Sequence, residues 1–499
     1  MTAHGIPRGT PRWASKPLSD LAEAVGLSSD PSWSDVAVRG ICEDSRRLRA
    51  GDLFVALSGA KQDGRLFVQE AVAQGAVAVA VEEPVDVGVP CLAVPDGRRA
   101  LAELSAAFFD HPTRKLRTVG VTGTNGKTTV CHWVAHLLGT DRTVLLSTVT
   151  NAESLPTSIA GLTTPPSPII QRLAREAVDD GAETLVLEAS SIGLAQGRLD
   201  AVAFDVCAFT NLTHDHLDLH GDAKAYASAK ARLFESLGSD GWAVVNADDP
   251  AAERMLDGCR GRPLRVSQQC PADLRAVDIR VEEDATRFLL VGGSDEVKVR
   301  LPVIGLYNVQ NALVAAGIAI CCGVGLHDIA DRLGTVRPVP GRQRWFRDQQ
   351  GRTAVVDFAH NPDAMERVLR TLRPRHRRVA VLFGCPGGSD RTRRRAMGEI
   401  SGRWADLTIL TSDNPKHETP RGIAEEIAVG VRGAGGGYEI VIDRAAAISR
   451  ALAWAEDGDC VLVAGKGHER VQLVGDERVP YSDRDVLESL GLAPASPGR

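Results

Sequence analysis

The sequence lacks any run approaching the roughly 18 consecutive apolar residues of a membrane span, so none is expected. Behind the basic residues of 1–16 no apolar segment follows, and no signal peptide is expected either. Paired C-x-x-C spacings are missing. The ten cysteines are scattered, and the adjacent pair Cys321 and Cys322 sits in an apolar, helix-like run. That pattern argues against a zinc site or disulfide framework and predicts reduced, mostly buried thiols in the cytoplasm. Strong charge of one sign is lacking too. A formal net charge of -6 over 499 residues advertises neither a nucleic acid nor a membrane surface as partner. The local basic runs Arg373–Arg378 and Arg391–Arg395 are expected to be solvated faces. Internal repeats and low-complexity segments are absent.

What remains is ordinary globular material, 43% apolar and 24% charged, in a chain too long for a single core. Short runs rich in Val and Ala alternate with helical-period stretches, which predicts an α/β protein with mostly parallel sheets. Three domains are expected, at 1–112, 113–336 and 337–499. The first holds strand-like runs at Leu53–Leu57 and Ala76–Val81 and a helix-like stretch, Arg98–Phe109. The second opens on the strand-like Arg117–Val121. The third follows the turn-rich Pro338-Val-Pro-Gly341 and carries strand candidates at Thr353–Val356, Arg378–Phe383, Leu407–Thr411 and Cys460–Ala464. Residues beyond Leu492 read as a loose tail.

The strongest chemical signal is Arg117-Thr-Val-Gly-Val-Thr-Gly-Thr-Asn-Gly-Lys-Thr-Thr129, a strand and a glycine-punctuated loop, with Val130–Leu138 as the helix behind. Backbone N–H groups of such a loop, with the helix N-terminus, make a nest for phosphate oxygens. Lys127 would reach the outer phosphates and the Thr128 hydroxyl would hold Mg²⁺. The G-x-x-x-x-G-K-[ST] pattern is not met, because Val121 stands at its first position. The strand–loop–helix context carries the ATP assignment instead.

Thr122-Gly-Thr-Asn-Gly-Lys-Thr-Thr129 also resembles the loop of the Mur ligases and of folylpolyglutamate synthase. Further strings follow in the Mur order. They are Thr163-Thr-Pro165, Glu188-Ala-Ser-Ser191, Asn211-Leu-Thr-His-Asp-His-Leu-Asp218, Tyr226-Ala-Ser-Ala-Lys230, Asn246-Ala-Asp-Asp249, Asn308 with Asn311, Pro340-Gly-Arg342, Asp357-Phe-Ala-His-Asn-Pro-Asp363, Asp413-Asn-Pro-Lys416 and Ala464-Gly-Lys-Gly-His-Glu469. The last two are similar to the branch that adds the third residue of the peptidoglycan stem, the UDP-N-acetylmuramoyl-tripeptide synthetases (MurE type).

The resemblance implies a three-domain architecture: a UDP-substrate-binding domain, a central P-loop ATPase and a Rossmann-like C-terminal domain. It implies ATP at Gly123, Thr124, Asn125, Gly126, Lys127, Thr128 and Thr129, with Asn308, Asn311, Arg342, Asp357 and His360 lining the nucleotide from the domain interface. Metal falls to Thr128, Glu188 and His216. Lys230 aligns with the lysine these ligases carbamylate to N6-carboxylysine, and Lys127, Lys230, Glu188 and His216 are the catalytic set. Ser45, Thr163, Thr164, Ser190, Gln196 and Arg198 match positions that bind the UDP-sugar peptide, UDP-N-acetylmuramoyl-L-alanyl-D-glutamate. Within E-x-S-S-H-G-L the histidine is replaced by Ile192. The implied reaction passes through an acyl-phosphate and needs charge neutralisation rather than a protein nucleophile. A monomer is expected.

For the incoming amino acid the resemblance implies Arg391, Asp413, Asn414, Pro415, Lys416, Gly465 and Glu469. Two departures bear on its identity. The diaminopimelate branch carries D-N-P-R where this chain has Lys416, which keeps the charge but loses the bidentate fork. The loop usually written G-C-G-G-D-R-D is Gly384-Cys-Pro-Gly-Gly-Ser-Asp-Arg391, which shifts Arg391 out of register. Meso-diaminopimelate is the first expectation; L-lysine or a specialised-metabolism amino acid is the alternative. A folylpolyglutamate synthase should lack the last two strings. An inactive Mur-like nucleotide binder should have lost Lys127, Glu188, His216 or Lys230, and none is lost. A nucleotide-driven transport ATPase would hydrolyse ATP without any amino acid.

Overall fold

The computed structural model describes all residues except 1–12, 14, 29, 60–62, 157–158, 160, 214–220 and 498–499. Short Val/Ala-rich runs, buried on both faces, build parallel sheets, as strands covered by helices on two sides must be. A four-stranded parallel sheet runs in the order Gly40–Cys42, Asp52–Val55, Ala78–Val81 and Cys91–Ala93. Helix Gly97–Phe108, capped by Asp96, packs against it.

The central sheet has nine strands. Its parallel part runs in the spatial order Arg262–Ser267, Trp242–Asn246, Val206–Phe209, Arg117–Thr122, Thr184–Glu188 and Thr143–Leu146. An antiparallel meander, Leu274–Val281, Thr286–Gly292 and Asp295–Leu301, extends one edge. Its strands alternate buried and solvated positions, the pattern of a sheet with one wet face. The expectation of parallel sheets did not include this meander. Helices Lys127–Leu138 and Leu306–Cys321 pack together over the parallel strands, and their apolar side chains fill one core.

The C-terminal sheet has seven strands in the order Tyr438–Ile440, Leu407–Leu410, Val379–Phe383, Cys460–Ala464, Thr353–Asp357, Arg344–Arg347 and Ala493–Ala495. The first five are parallel; the last two pair antiparallel at the edge. The residues expected to be a loose tail instead form a strand: Ala493–Ala495 pairs with Trp345–Arg347, which gives that strand a partner and leaves only a three-residue strand at the sheet edge. All ten cysteines are free thiols. No helix among the described residues is long and apolar enough to cross a membrane.

Candidate active site

The phosphate loop leaves the C-terminal end of strand Arg117–Thr122 in the middle of the nine-stranded sheet, the end at which parallel sheets bind ligands. Gly126 has φ +90, and a Cβ there would stand 2.4 Å from Asn311 Oδ1, so only glycine fits against that helix. Lys127 folds back over the loop and donates to the carbonyls of Gly123 at 2.9 Å and Thr124 at 3.0 Å. Parallel register pairs Val121 with Glu188, which sets the Glu188 carboxylate beside the loop. Glu188 is 1% exposed. Its Oε1 accepts from Thr128 Oγ1 at 2.9 Å and from the Thr148 N–H at 2.7 Å. Lys230, on helix Ala223–Glu235, is equally buried; its Nζ donates to the Gly123 carbonyl at 2.9 Å and lies 4.3 Å from the Tyr226 ring centre. His216 lies outside the described residues.

Thr128 and Glu188 bring a hydroxyl and a carboxylate within hydrogen-bond distance of each other. Hard oxygen donors of this kind fit Mg²⁺, which takes few protein ligands and completes its shell with water and phosphate oxygens.

From the C-terminal side, Arg342 Nη2 donates to Thr128 Oγ1 at 3.2 Å, and its guanidinium lies 4.3 Å over the Phe358 ring. Burial pushes the Arg342 pKa down, and Asp357, Glu188 and Glu469 oppose that shift. Asp357, whose pKa burial raises, ends strand Thr353–Asp357 and accepts from the N–H groups of Gln343 at 2.7 Å and Ala359 at 2.8 Å. A Cβ on Gly341 would fall 2.1 Å from the His468 nitrogen. The Pro340–Arg342 turn therefore packs backbone to backbone on the Gly465–Glu469 loop. His360 Nδ1 stands 2.8 Å from the Phe358 carbonyl. Asn308 and Asn311 enter on the first turns of helix Leu306–Cys321, with Asn311 Nδ2 donating to Asn308 Oδ1 at 3.4 Å. These groups line one cleft of about 820 Å³ that runs on to Asn414 and Glu469.

From Glu188 a connected polar chain leads on, with Thr148 and Thr163 lining the same cleft. Thr164 Oγ1 donates to the Glu188 carbonyl at 2.7 Å and lies 2.9 Å from Ser190 Oγ. Arg198 donates to the Thr164 carbonyl at 2.5 Å and to Gln196 Oε1 at 2.6 Å. Thr163 joins through Thr148, whose hydroxyl donates to its own at 3.2 Å. Ser45 stands apart, buried at the start of the turn Ser45–Arg47 in the first sheet's domain.

At the far end of the cleft, Lys466 is buried and donates to Asn414 Oδ1 at 3.0 Å and to Glu469 Oε2 at 2.7 Å. Asn414 Nδ2 completes the triangle by donating to Glu469 Oε2 at 3.0 Å. Burial raises the Asp413 pKa to about 6, with Lys466 opposing. A Cβ on Gly465 would meet Asp413 Oδ2 at 2.7 Å. Lys466 is not among the residues the sequence singles out, although the Gly-Lys-Gly-His-Glu string contains it. Nor does the sequence single out the hairpin Val471–Val474/Glu477–Pro480, whose Leu473 and Arg478 line the cleft. Lys416 sits at φ +51, and its backbone pairs with this hairpin through Leu473 and Gly475. Pro415 packs its carbonyl on Gly387. Arg391 does not join the cluster. Its side chain is 67% exposed and pairs with Glu426, which also holds Arg394 at 2.9 Å.

Comparison with known proteins gives three family matches that follow one another along the chain. The Mur ligase family catalytic domain matches residues 37–109, the Mur ligase middle domain 121–319, and the Mur ligase glutamate ligase domain 341–467. The chain is 39% identical over 456 residues to the UDP-N-acetylmuramoyl-L-alanyl-D-glutamate--2,6-diaminopimelate ligase of Geobacillus thermodenitrificans, covering 89% of this chain and 93% of that one. The enzyme of the same name from Bacillus licheniformis is 38% identical over 474 residues, covering 93% and 97%. A solved structure of a ligase of that name superposes with TM-score 0.66 at 33% identity, covering 94% of this chain and 98% of that one. The Thermotoga maritima MurF ligase in complex with ADP shares the fold, with TM-score 0.61 at 21% identity, covering 86% and 94%.

Proposed function

The chain belongs to the Mur ligase family, and from that premise we propose that it adds meso-diaminopimelate to UDP-N-acetylmuramoyl-L-alanyl-D-glutamate, consuming ATP. It is an ATP-dependent amide ligase, and the product is the tripeptide precursor of peptidoglycan. One observation carries the reading: a single cleft joins the phosphate loop to Asn414 and Glu469, which the buried Lys466 holds from behind.

The substrate carboxylate attacks the γ-phosphate of ATP, giving an acyl-phosphate and ADP; the amine of the amino acid then displaces phosphate. Two anions must approach each other in the first step, so the site has to supply positive charge and exclude water. Lys127 and Arg342 are the cations we assign to the phosphates, with Gly123–Thr129 as the nest and Asn308, Asn311, Asp357 and His360 around the nucleotide. Mg²⁺, held by Thr128, Glu188 and His216, would offset phosphate charge. Thr163, Thr164, Ser190, Gln196 and Arg198 extend from Glu188 as the path we assign to the muramoyl dipeptide, with Ser45 at the uridine end. Asp413, Asn414, Gly465 and Glu469 hold the amino acid's α-amino and α-carboxyl groups, and Lys416 its distal carboxylate. We read the chain as three domains, 1–112, 113–336 and 337–499, acting as a cytoplasmic monomer.

A second reading, the same ligation with another amino acid, is favoured by Lys416 and by the pairing of Arg391 with Glu426. Phosphate release from ATP with the UDP-muramoyl dipeptide, measured with meso-diaminopimelate, L-lysine and other amino acids in parallel, decides between them. Release dependent on diaminopimelate is expected. Release only with another amino acid would keep the ligase and replace its substrate.

A further inference from the structure

Among the described residues, side chains of the C-terminal domain hydrogen-bond the phosphate loop at Thr128 and at Asn125. Arg342 contacts Thr128 at the helix end, as described above. The second contact involves Asn125, at the loop tip. Its backbone belongs to the central domain: its N–H donates to Asn211 Oδ1 at 3.0 Å, and its carbonyl accepts from Thr210 Oγ1 at 2.6 Å and Asn211 Nδ2 at 3.1 Å. Its side chain is held from the other domain. Asn125 Nδ2 donates to Asp363 Oδ2 at 2.9 Å, and Asn361 Nδ2 donates to Asn125 Oδ1 at 3.0 Å.

Both partners sit at the start of helix Pro362–Leu372, where their positions are fixed locally. Asn361 is its N-cap, accepting from the Ala364 N–H at 2.9 Å. Asp363 is anchored by Arg367, whose Nε donates to Oδ1 at 2.8 Å, which leaves Oδ2 for Asn125. A primary amide facing one carboxylate and one amide is satisfied as donor and acceptor at once.

We infer that Asp363 is a positioning residue: by clasping the Asn125 side chain it seats the C-terminal domain on the phosphate loop. The inference rests on the nucleotide reading of the cleft given above. Since the clasp ties loop geometry to domain position, nucleotide and closure must favour each other by the same factor. Asp363 touches neither substrate nor metal in this scheme; it acts through Asn125.

The test uses the full chain as wild type, Asn125→Ala, Asp363→Ala, Asp363→Asn and the double alanine variant. ADP affinity comes from calorimetry, closure from the radius of gyration in solution scattering with and without ADP, and turnover from phosphate release. Asp363→Ala should raise KM for ATP about tenfold, on the scale of one hydrogen bond to a charged acceptor. It should also compact less than wild type at saturating ADP. The double variant should be no worse than either single one, and Asp363→Asn, which keeps an oxygen acceptor, should recover most of the compaction. A role in stability alone would lower the thermal midpoint without this coupling or rescue. Additive losses in the double variant, or full compaction of Asp363→Ala, would overturn the clasp. Failure of the wild-type chain to bind ADP would overturn the ligase reading, and the clasp's purpose with it.

Discussion

The ammonium groups of Lys127 and Lys230 both donate to the Gly123 carbonyl oxygen, each at 2.9 Å. Two like charges on one buried acceptor repel each other. Converting one of them to a carbamate relieves that repulsion and would supply an anion for the Mg²⁺ we propose at this site, which is the role we propose for Lys230.

Replacing Lys230 tests this directly. Lys230→Ala is expected to lower turnover at least about a hundredfold, the scale of losing one pre-organised group at a transition state. A short carboxylate added in solution should restore part of it. Wild-type chain equilibrated with isotope-labelled bicarbonate should show a carbamate resonance that the variant lacks. Turnover of Lys230→Ala near wild type, without any supplement, would sink the carbamate role.

Lys416 should act on the amino acid alone. Lys416→Ala is expected to raise KM for diaminopimelate between about tenfold and a hundredfold, as loss of one charge-assisted contact does, and to leave KM for ATP unchanged. Lys416→Arg should match or improve on the wild type, since the guanidinium offers two donors to the same carboxylate. Steady-state kinetics with each substrate varied in turn separate these outcomes.

Asp413 predicts a pH limb. Burial raises its pKa to about 6 from an unfolded value near ~3.9. A raised carboxyl pKa means the folded state favours the protonated form. Its stabilising contribution is therefore full below about pH 4 and lost as pH rises through about 6. Binding an ammonium needs the ionised form, so kcat/KM for the amino acid should climb through the same window and level off above it. Asp413→Asn should flatten that limb and lower the plateau, as pH–rate profiles would show.

Arg444 and Asp483 form a fully buried pair, Nε to Oδ1 at 2.7 Å and Nη2 to Oδ2 at 2.9 Å, each side chain 0% exposed. Arg444→Leu leaves an uncompensated carboxylate and should cost about 3–5 kcal/mol in denaturant unfolding. Replacing both partners by leucine should cost less than the single change, because no buried charge is then left alone.

Much of the architecture was legible because it rests on local chemistry. Strand Arg117–Thr122, the loop and helix Lys127–Leu138 follow from a β-branched run, two glycines and a helical period. The runs Thr353–Asp357 and Cys460–Ala464 were found to within a residue, since buried parallel strands carry continuous apolar sequence. The meander Leu274–Leu301 and the hairpin Val471–Pro480 escaped notice, because half-solvated strands mix polar and apolar residues and resemble loops. The pairing of Arg391 with Glu426, across 35 positions, carries no local signal.

By itself the sequence determined that a phosphate loop exists, which glycines shape it, and which titratable groups the chain has available. The tertiary structure decided which of them meet: Lys127 with Lys230 at one carbonyl, Lys466 with Asn414 and Glu469, and Asn125 with Asp363 across 238 positions. Turns and caps are set by a few neighbouring residues. Pairings at this distance depend on sheet register and on the docking of whole domains, which no local window of sequence encodes.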